Sequence, residues 1–185
     1  MIAMKMGNIS RRELLSTARN VKLLILDVDG VLTDGSIVLD NNGNELKTFH
    51  VRDGHGIRLL LKAGIHGALI TGRFSRVVER RAKELGIRDV YQKCFDKAAA
   101  YRRLAGKYSL ADHEIAYVGD DIVDIPVLRR CGFSVAVADS EIGVRPFVKM
   151  ITRKGGGRGA VREVCNLLLQ AKGLLKDIMD EYSQT

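Results

Sequence analysis

Short, mostly apolar runs recur along the chain, and each ends in acidic or hydroxyl residues. Residues 21–26 (VKLLIL) lead into Asp27, 66–70 (HGALI) into Thr71-Gly72, 115–118 (IAYV) into Gly119-Asp120-Asp121, and 133–138 (FSVAVA) into Asp139. Runs this short and this apolar predict buried parallel strands that carry function at their C-terminal ends. Helical spacing fills the intervals at 56–63, 74–85, 97–108 and 122–130. Such alternation implies right-handed βαβ units and an α/β fold, a parallel sheet flanked by helices. Ser10 and Glu13 have capping-box spacing and predict a helix over 10–19. From Ala160, the residues Val161, Val164, Leu167, Leu168 and Ala171 repeat at helical spacing, predicting a C-terminal helix and tail over 160–182, with 183–185 frayed. No repeat and no linker interrupts 1–185, which is expected to form a single domain.

One segment breaks the alternation. Residues 36–40, the turn Asn41-Asn42-Gly43-Asn44 and residues 45–51 read as two extended runs joined by an Asn- and Gly-rich turn. A hairpin flap over 36–51 is therefore expected above the strand ends, where open α/β folds bind ligands. Only 36 residues separate Asp34 from Thr71, and the hairpin plus one helix consume them, so no cap domain fits there. Residues 154–159 (KGGGRG) read as a flexible basic loop.

With 46% hydrophobic and 28% charged residues in 185, the chain has ordinary globular composition and enough length for one well-buried core. Its 30 Lys+Arg against 22 Asp+Glu give a formal +8, which points to an anionic partner. Nucleic acid is disfavoured, because aromatic residues are 5%, Trp is absent, and no stretch interleaves basic and aromatic side chains. No run approaches the roughly 20 apolar residues of a bilayer span, and the polar stretch 8–12 interrupts any signal-peptide core. Cys94, Cys131 and Cys165 have no metal-ligand or disulfide-framework spacing, which suits a reducing, cytoplasmic setting.

The acidic strand ends carry the chemistry. Asp27 and Asp29 lie two apart on an extended segment, so their side chains start on one side. Crowded carboxylates repel each other, and a bound divalent cation relieves the cost. Asp120, Asp121 and Asp124 follow another strand and complete an oxygen-only set, which suits Mg²⁺ and not zinc. These acids could individually cap helices or turns, but five of them on two strand ends exceed what capping needs. Thr71 before a helix offers a hydroxyl and backbone N–H groups to a phosphate, and Lys97 at another helix start offers a fixed cation.

In this order, LDVDGVLTDG, ITGR, Lys97 and VGDDIVD resemble the four motifs of the haloacid dehalogenase-like phosphohydrolases. More narrowly, TDGSI, KTFHVRDGHGI, AYVGDDIVDIPVL, VAVAD and GGRGAVREVCNLLL resemble a capless family within them, the 3-deoxy-D-manno-octulosonate 8-phosphate phosphatases. The resemblance implies a Rossmann-like fold, Mg²⁺ and a phosphorylated 2-keto sugar acid as substrate. Asp27 would be the nucleophile and Asp29 the general acid and then base; the metal would be held by Asp27, the Asp29 backbone carbonyl and Asp120. Asp121 and Asp124 would orient that site, while Thr71 and Lys97 stabilise the transferring phosphoryl group.

The resemblance also implies a substrate-contacting set of His50, Val51, Arg52, Asp53, Gly54, Arg58, Arg73 and Arg81, where arginine forks would suit a carboxylate. A capless site is wet, so the family pattern implies a homotetramer in which Arg158 of the tail approaches a neighbouring site. Three rivals stand beside this reading: a phosphatase for a nine-carbon sugar acid 9-phosphate, a nucleic-acid-binding protein, and a phosphosugar sensor without turnover.

Overall fold

A computed structural model describes residues 5–6 and 10–184. In chain order the elements are β1 (Lys5–Met6), α1 (Arg11–Arg19), β2 (Leu23–Leu26), β3 (Val38–Leu39), β4 (Glu45–Leu46), α2 (Val51–Lys62), β5 (His66–Ile70), α3 (Arg76–Leu85), β6 (Asp89–Tyr91), α4 (Lys97–Tyr108), β7 (Ile115–Gly119), α5 (Ile125–Leu128), β8 (Phe133–Ala136), β9 (Met150–Ile151), α6 (Ala160–Ala171) and α7 (Leu175–Ser183). Six strands run parallel in the order β9-β8-β7-β2-β5-β6, and β1 adds an antiparallel edge on β9. The β3–β4 hairpin forms a separate two-stranded sheet.

Successive side chains of a strand point to opposite faces, and in β2 and β7 both faces are apolar. Leu24, Leu26, Ala116 and Val118 enter the core layer shared with α1, α2 and α6. Leu23, Ile25, Ile115 and Tyr117 enter the opposite layer with Tyr101 and Leu104 of α4. Burial on both faces explains why these strands read as continuous apolar runs. β2 is central, flanked by β5 and β7, and its register pairs Leu26 with both Leu69 and Val118. Asp27 therefore emerges beside the ends of both neighbours, at the crevice where the strand order reverses.

Three expectations need correction. The helix placed at 56–63 begins at Val51 instead, so 51–54 form its first turn and Val51 leaves the flap. Gly54 and Gly56, which suggest a turn, are there for close packing: a Cβ on Gly56 would lie 3.1 Å from that of Cys165 in α6. The loop 154–159 is clamped and not free. The Gly157 N–H donates to the Val31 carbonyl at 3.0 Å, that of Gly156 to Asp139 at 2.9 Å, and a Cβ on Gly156 would fall 1.8 Å from the Gly30 carbonyl oxygen. Finally, the C-terminal segment is two helices broken at Gly173 (φ +77°), and Ser183 ends the second; Thr185 lies outside the described residues. Among the described residues no helix is long and apolar enough to cross a membrane.

Candidate active site

Two strand ends and one helix start supply the acidic centre. Asp27 follows β2 and is buried; its Oδ1 accepts from the Val28 N–H at 2.7 Å and its Oδ2 from Lys97 Nζ at 2.8 Å. Lys97 opens α4, whose cap Asp96 accepts from the Ala99 N–H at 2.8 Å. Its Nζ donates to Asp124 Oδ1 as well, at 2.7 Å. Asp124 also accepts from the Tyr117 hydroxyl at 2.6 Å and, on Oδ2, from the N–H groups of Asp120 and Asp121 at 2.9 and 3.3 Å. Asp121 is exposed and caps the short 3₁₀ turn Ile122–Asp124, accepting from the Ile122 N–H at 2.7 Å. Carboxylate oxygens of Asp27, Asp120 and Asp124 all lie within 4.8 Å of one another.

This crowding has an electrostatic cost. Burial first, then the charges of Asp27 and Asp124, push the Asp120 carboxyl up to about 8. Burial and Asp124 raise Asp27 too, against the pull of Lys97. Burial opposes the Lys97 ammonium, but the two facing carboxylates outweigh it and hold it charged. With Asp29 and its partner Lys47 included, four acids and two lysines leave a formal −2, the charge that one divalent cation balances. The donors are all oxygen, as a hard cation such as Mg²⁺ requires. Asp27 and Asp120 have lone pairs to offer; Asp124 has spent its own on Lys97, Tyr117 and two N–H groups, and so positions the others. No zinc-type thiolate or imidazole joins the cluster among the described residues.

On the other side of Asp27, Thr71 is buried at the end of β5. Its hydroxyl donates to Asp29 Oδ2 at 3.3 Å and accepts from the Arg73 N–H at 3.2 Å. Asp29 Oδ1 pairs with the ammonium of Lys47, which reaches it from the base of the hairpin and is also 3.3 Å from Glu45. Glu45 in turn holds the Arg73 guanidinium at 2.7 Å. The sequence reading missed Lys47, Glu45 and Tyr117. For the first two a signal existed: in an extended run Glu45 and Lys47 share one side.

The haloacid dehalogenase-like hydrolase family matches residues 70–163. The 3-deoxy-D-manno-octulosonate 8-phosphate phosphatase KdsC of Escherichia coli is 51% identical over 165 residues, covering 89% of this chain and 88% of that protein. The chain belongs to the 3-deoxy-D-manno-octulosonate 8-phosphate phosphatase family of haloacid dehalogenase-like hydrolases. Among solved structures, the phosphatase from Yersinia pestis superposes with a TM-score of 0.88 at 48% identity, covering 89% of each chain. The Moraxella catarrhalis phosphatase, in complex with magnesium, phosphate and KDO, gives a TM-score of 0.92 at 40% identity, covering 94% of this chain and 99% of that one.

The substrate-contacting set implied by the family resemblance divides in this chain. Arg73 comes to the acidic centre through Glu45 and Thr71. His50, Asp53, Gly54 and Arg81 instead gather where α2 meets α3 and α6. Asp53 is buried with its carboxylate turned to the start of α6, accepting from the N–H groups of Gly159 at 3.2 Å and Arg162 at 2.7 Å. That is a helix-capping role, which ties α2 to the start of α6. Arg81 lies against Gly54 and over the Phe49 ring, 5.8 Å from its centroid. Val51, Arg52 and Arg58 are exposed on α2, and neither arginine forms an ion pair with the acidic centre among the described residues. Arg158 lies 3.7 Å from Asp34 of its own chain with its side chain exposed.

Proposed function

We propose that this protein is a Mg²⁺-dependent phosphatase that hydrolyses 3-deoxy-D-manno-octulosonate 8-phosphate to the free sugar acid and phosphate, a step toward lipopolysaccharide. The observation that carries the reading is the buried Asp27 carboxylate, 2.8 Å from Lys97, with Asp29 held two residues on by Thr71, in a chain 51% identical to such a phosphatase.

In the first step an Asp27 oxygen attacks phosphorus in line, the bond from phosphorus to the sugar oxygen breaks, and Asp29 gives the leaving alkoxide its proton. In the second step Asp29 takes a proton from water, the water oxygen attacks phosphorus, and the bond to Asp27 breaks, restoring its carboxylate and releasing phosphate. Lys97 and the Thr71 hydroxyl face the phosphoryl oxygens as charge builds on them. Asp27, the Asp29 carbonyl and Asp120 would hold Mg²⁺, which neutralises charge on the transferring group when bound. Lys97 stays in place because Asp124, locked by Tyr117 and backbone N–H groups, anchors its ammonium. Arg73, with Arg52, Arg58 and Arg81, would receive the sugar acid, the latter three across an assembled oligomer.

The assembly we propose is a homotetramer formed through the hairpins. Ile37, Val38, Leu39 and Leu46 are exposed apolar residues concentrated on this one small sheet, and an exposed apolar patch marks an interaction surface. Light scattering should give a tetramer mass, and a fully active monomer would rule it out. Three free cysteines, two of them buried, suit a cytoplasmic setting.

Phosphate release from 3-deoxy-D-manno-octulosonate 8-phosphate with Mg²⁺, with an EDTA control and a nine-carbon sugar acid 9-phosphate alongside, tests the function. The octulosonate should have the higher kcat/KM, and Asp27→Asn should fold but release no phosphate. Preference for the nine-carbon substrate, or turnover by Asp27→Asn, would refute the assignment or the mechanism respectively.

A further inference from the structure

A closed circuit of side chains surrounds Asp29. Its Oδ1 pairs with Lys47, Lys47 with Glu45 at 3.3 Å, and Glu45 with the Arg73 guanidinium at 2.7 Å. The backbone N–H of Arg73 then donates to Thr71, whose hydroxyl returns to Asp29 Oδ2 at 3.3 Å. Both oxygens of one carboxylate are thus held, one from the body of the fold and one from the hairpin. Two such anchors fix the plane of the carboxylate as well as its position.

Lys47 is the unusual member. Its side chain is 2% exposed, although it sits just after the two-residue strand β4 in an otherwise exposed flap. A buried ammonium is costly unless paired, and both of its carboxylate partners belong to this circuit. The hairpin has no strand pairing with the main sheet, so Lys47 and Glu45 are ionic ties between flap and reaction centre.

We propose that Lys47 is a positioning residue that aligns Asp29 for proton transfer and makes that alignment depend on a seated hairpin. This rests on the role of Asp29 proposed above. Proton delivery must meet a defined lone pair on the leaving oxygen, so a carboxylate held at one oxygen only would swing away from it. A sugar alkoxide needs that proton to leave; a nitrophenolate does not.

The test compares 3-deoxy-D-manno-octulosonate 8-phosphate with p-nitrophenyl phosphate in Mg²⁺ for wild type, Lys47→Met and Lys47→Arg. For Lys47→Met, first-turnover release of the sugar should fall ~100-fold or more while the first-turnover burst of nitrophenolate, which needs no proton from Asp29, falls less than ~5-fold, and Lys47→Arg should recover most of the loss. Equal losses on both substrates, no loss on either, or a rise in KM for the sugar with kcat intact would overturn the proposal. If Lys47→Met fails to fold, Glu45→Gln carries the same comparison, since it loosens Lys47 without uncovering Asp29; equal losses there overturn the proposal too. A wild type that turns over neither substrate would defeat the parent reading, whereas active wild type with unselective variants defeats only the role of Lys47.

Discussion

The Lys97 ammonium lies 2.7 Å from Oδ1 of Asp124, a carboxylate wholly withdrawn from solvent. Because Asp124 also receives the Tyr117 hydroxyl and two backbone N–H groups, its removal would strand several buried polar groups together. Asp124→Ala should destabilise the fold by about 3–5 kcal/mol, and Tyr117→Phe by about 1 kcal/mol, measured by urea denaturation. A change below about 1 kcal/mol for Asp124→Ala would show that the buried pair is not the anchor described.

Asp120 gives a pH dependence of defined sign. Its folded-state pKa is raised to about 8 from an ordinary 3.8, so the native state holds a proton that the unfolded state releases. The stability it contributes is complete below pH ~4 and is lost as pH rises through ~8; Asp27 shifts in the same direction. Metal-free protein should therefore melt at a lower temperature at pH 8 than at pH 6. Added Mg²⁺ should raise the melting temperature more at pH 8, where it need not displace protons. Asp120→Asn should flatten the metal-free profile and shrink the gain from Mg²⁺; an unchanged profile in that variant would refute the account.

Asp53 should matter to folding and not to chemistry. Asp53→Ala removes the acceptor for the Gly159 and Arg162 N–H groups and should cost about 1–2 kcal/mol. In the folded fraction, KM for the sugar phosphate should stay as in wild type. A rise in KM with unchanged stability would restore the substrate contact.

Gly30 is tested by one methyl group. Its φ of +84° is in the left-handed region, and a Cβ there would lie 2.0 Å from Asp120 Oδ2. Gly30→Ala should displace that carboxylate and weaken Mg²⁺ binding by ~10-fold or more, as read by titration calorimetry. Wild-type affinity would mean that Asp120 does not need its present position.

The acidic strand ends were legible because both chemistry and burial leave marks on sequence: an apolar run stopping at Asp27, Thr71 or Asp120 has few other meanings. β5 and α4 coincide with their expected limits for the same reason. β6 and β9, of three and two residues, carry too little pattern to stand out. The start of α2 was hidden by Gly54 and Gly56, whose purpose is tertiary: they let Arg81 and Cys165 approach the helix. Lys47 was hidden because a lysine in a polar flap looks solvated, and only the fold shows its side chain withdrawn from solvent beside Asp29.

The clasp between Gly156 and Gly30 sets an order of events during synthesis. The loop that bears Asp29 and Gly30 leaves the ribosome early, yet the backbone that braces it, at Gly156 and Gly157, is made about 125 residues later. A nascent chain thus carries its first catalytic aspartates long before the glycine loop that braces the turn beside them. The turn beside Asp29 is braced only once the late loop has closed over it.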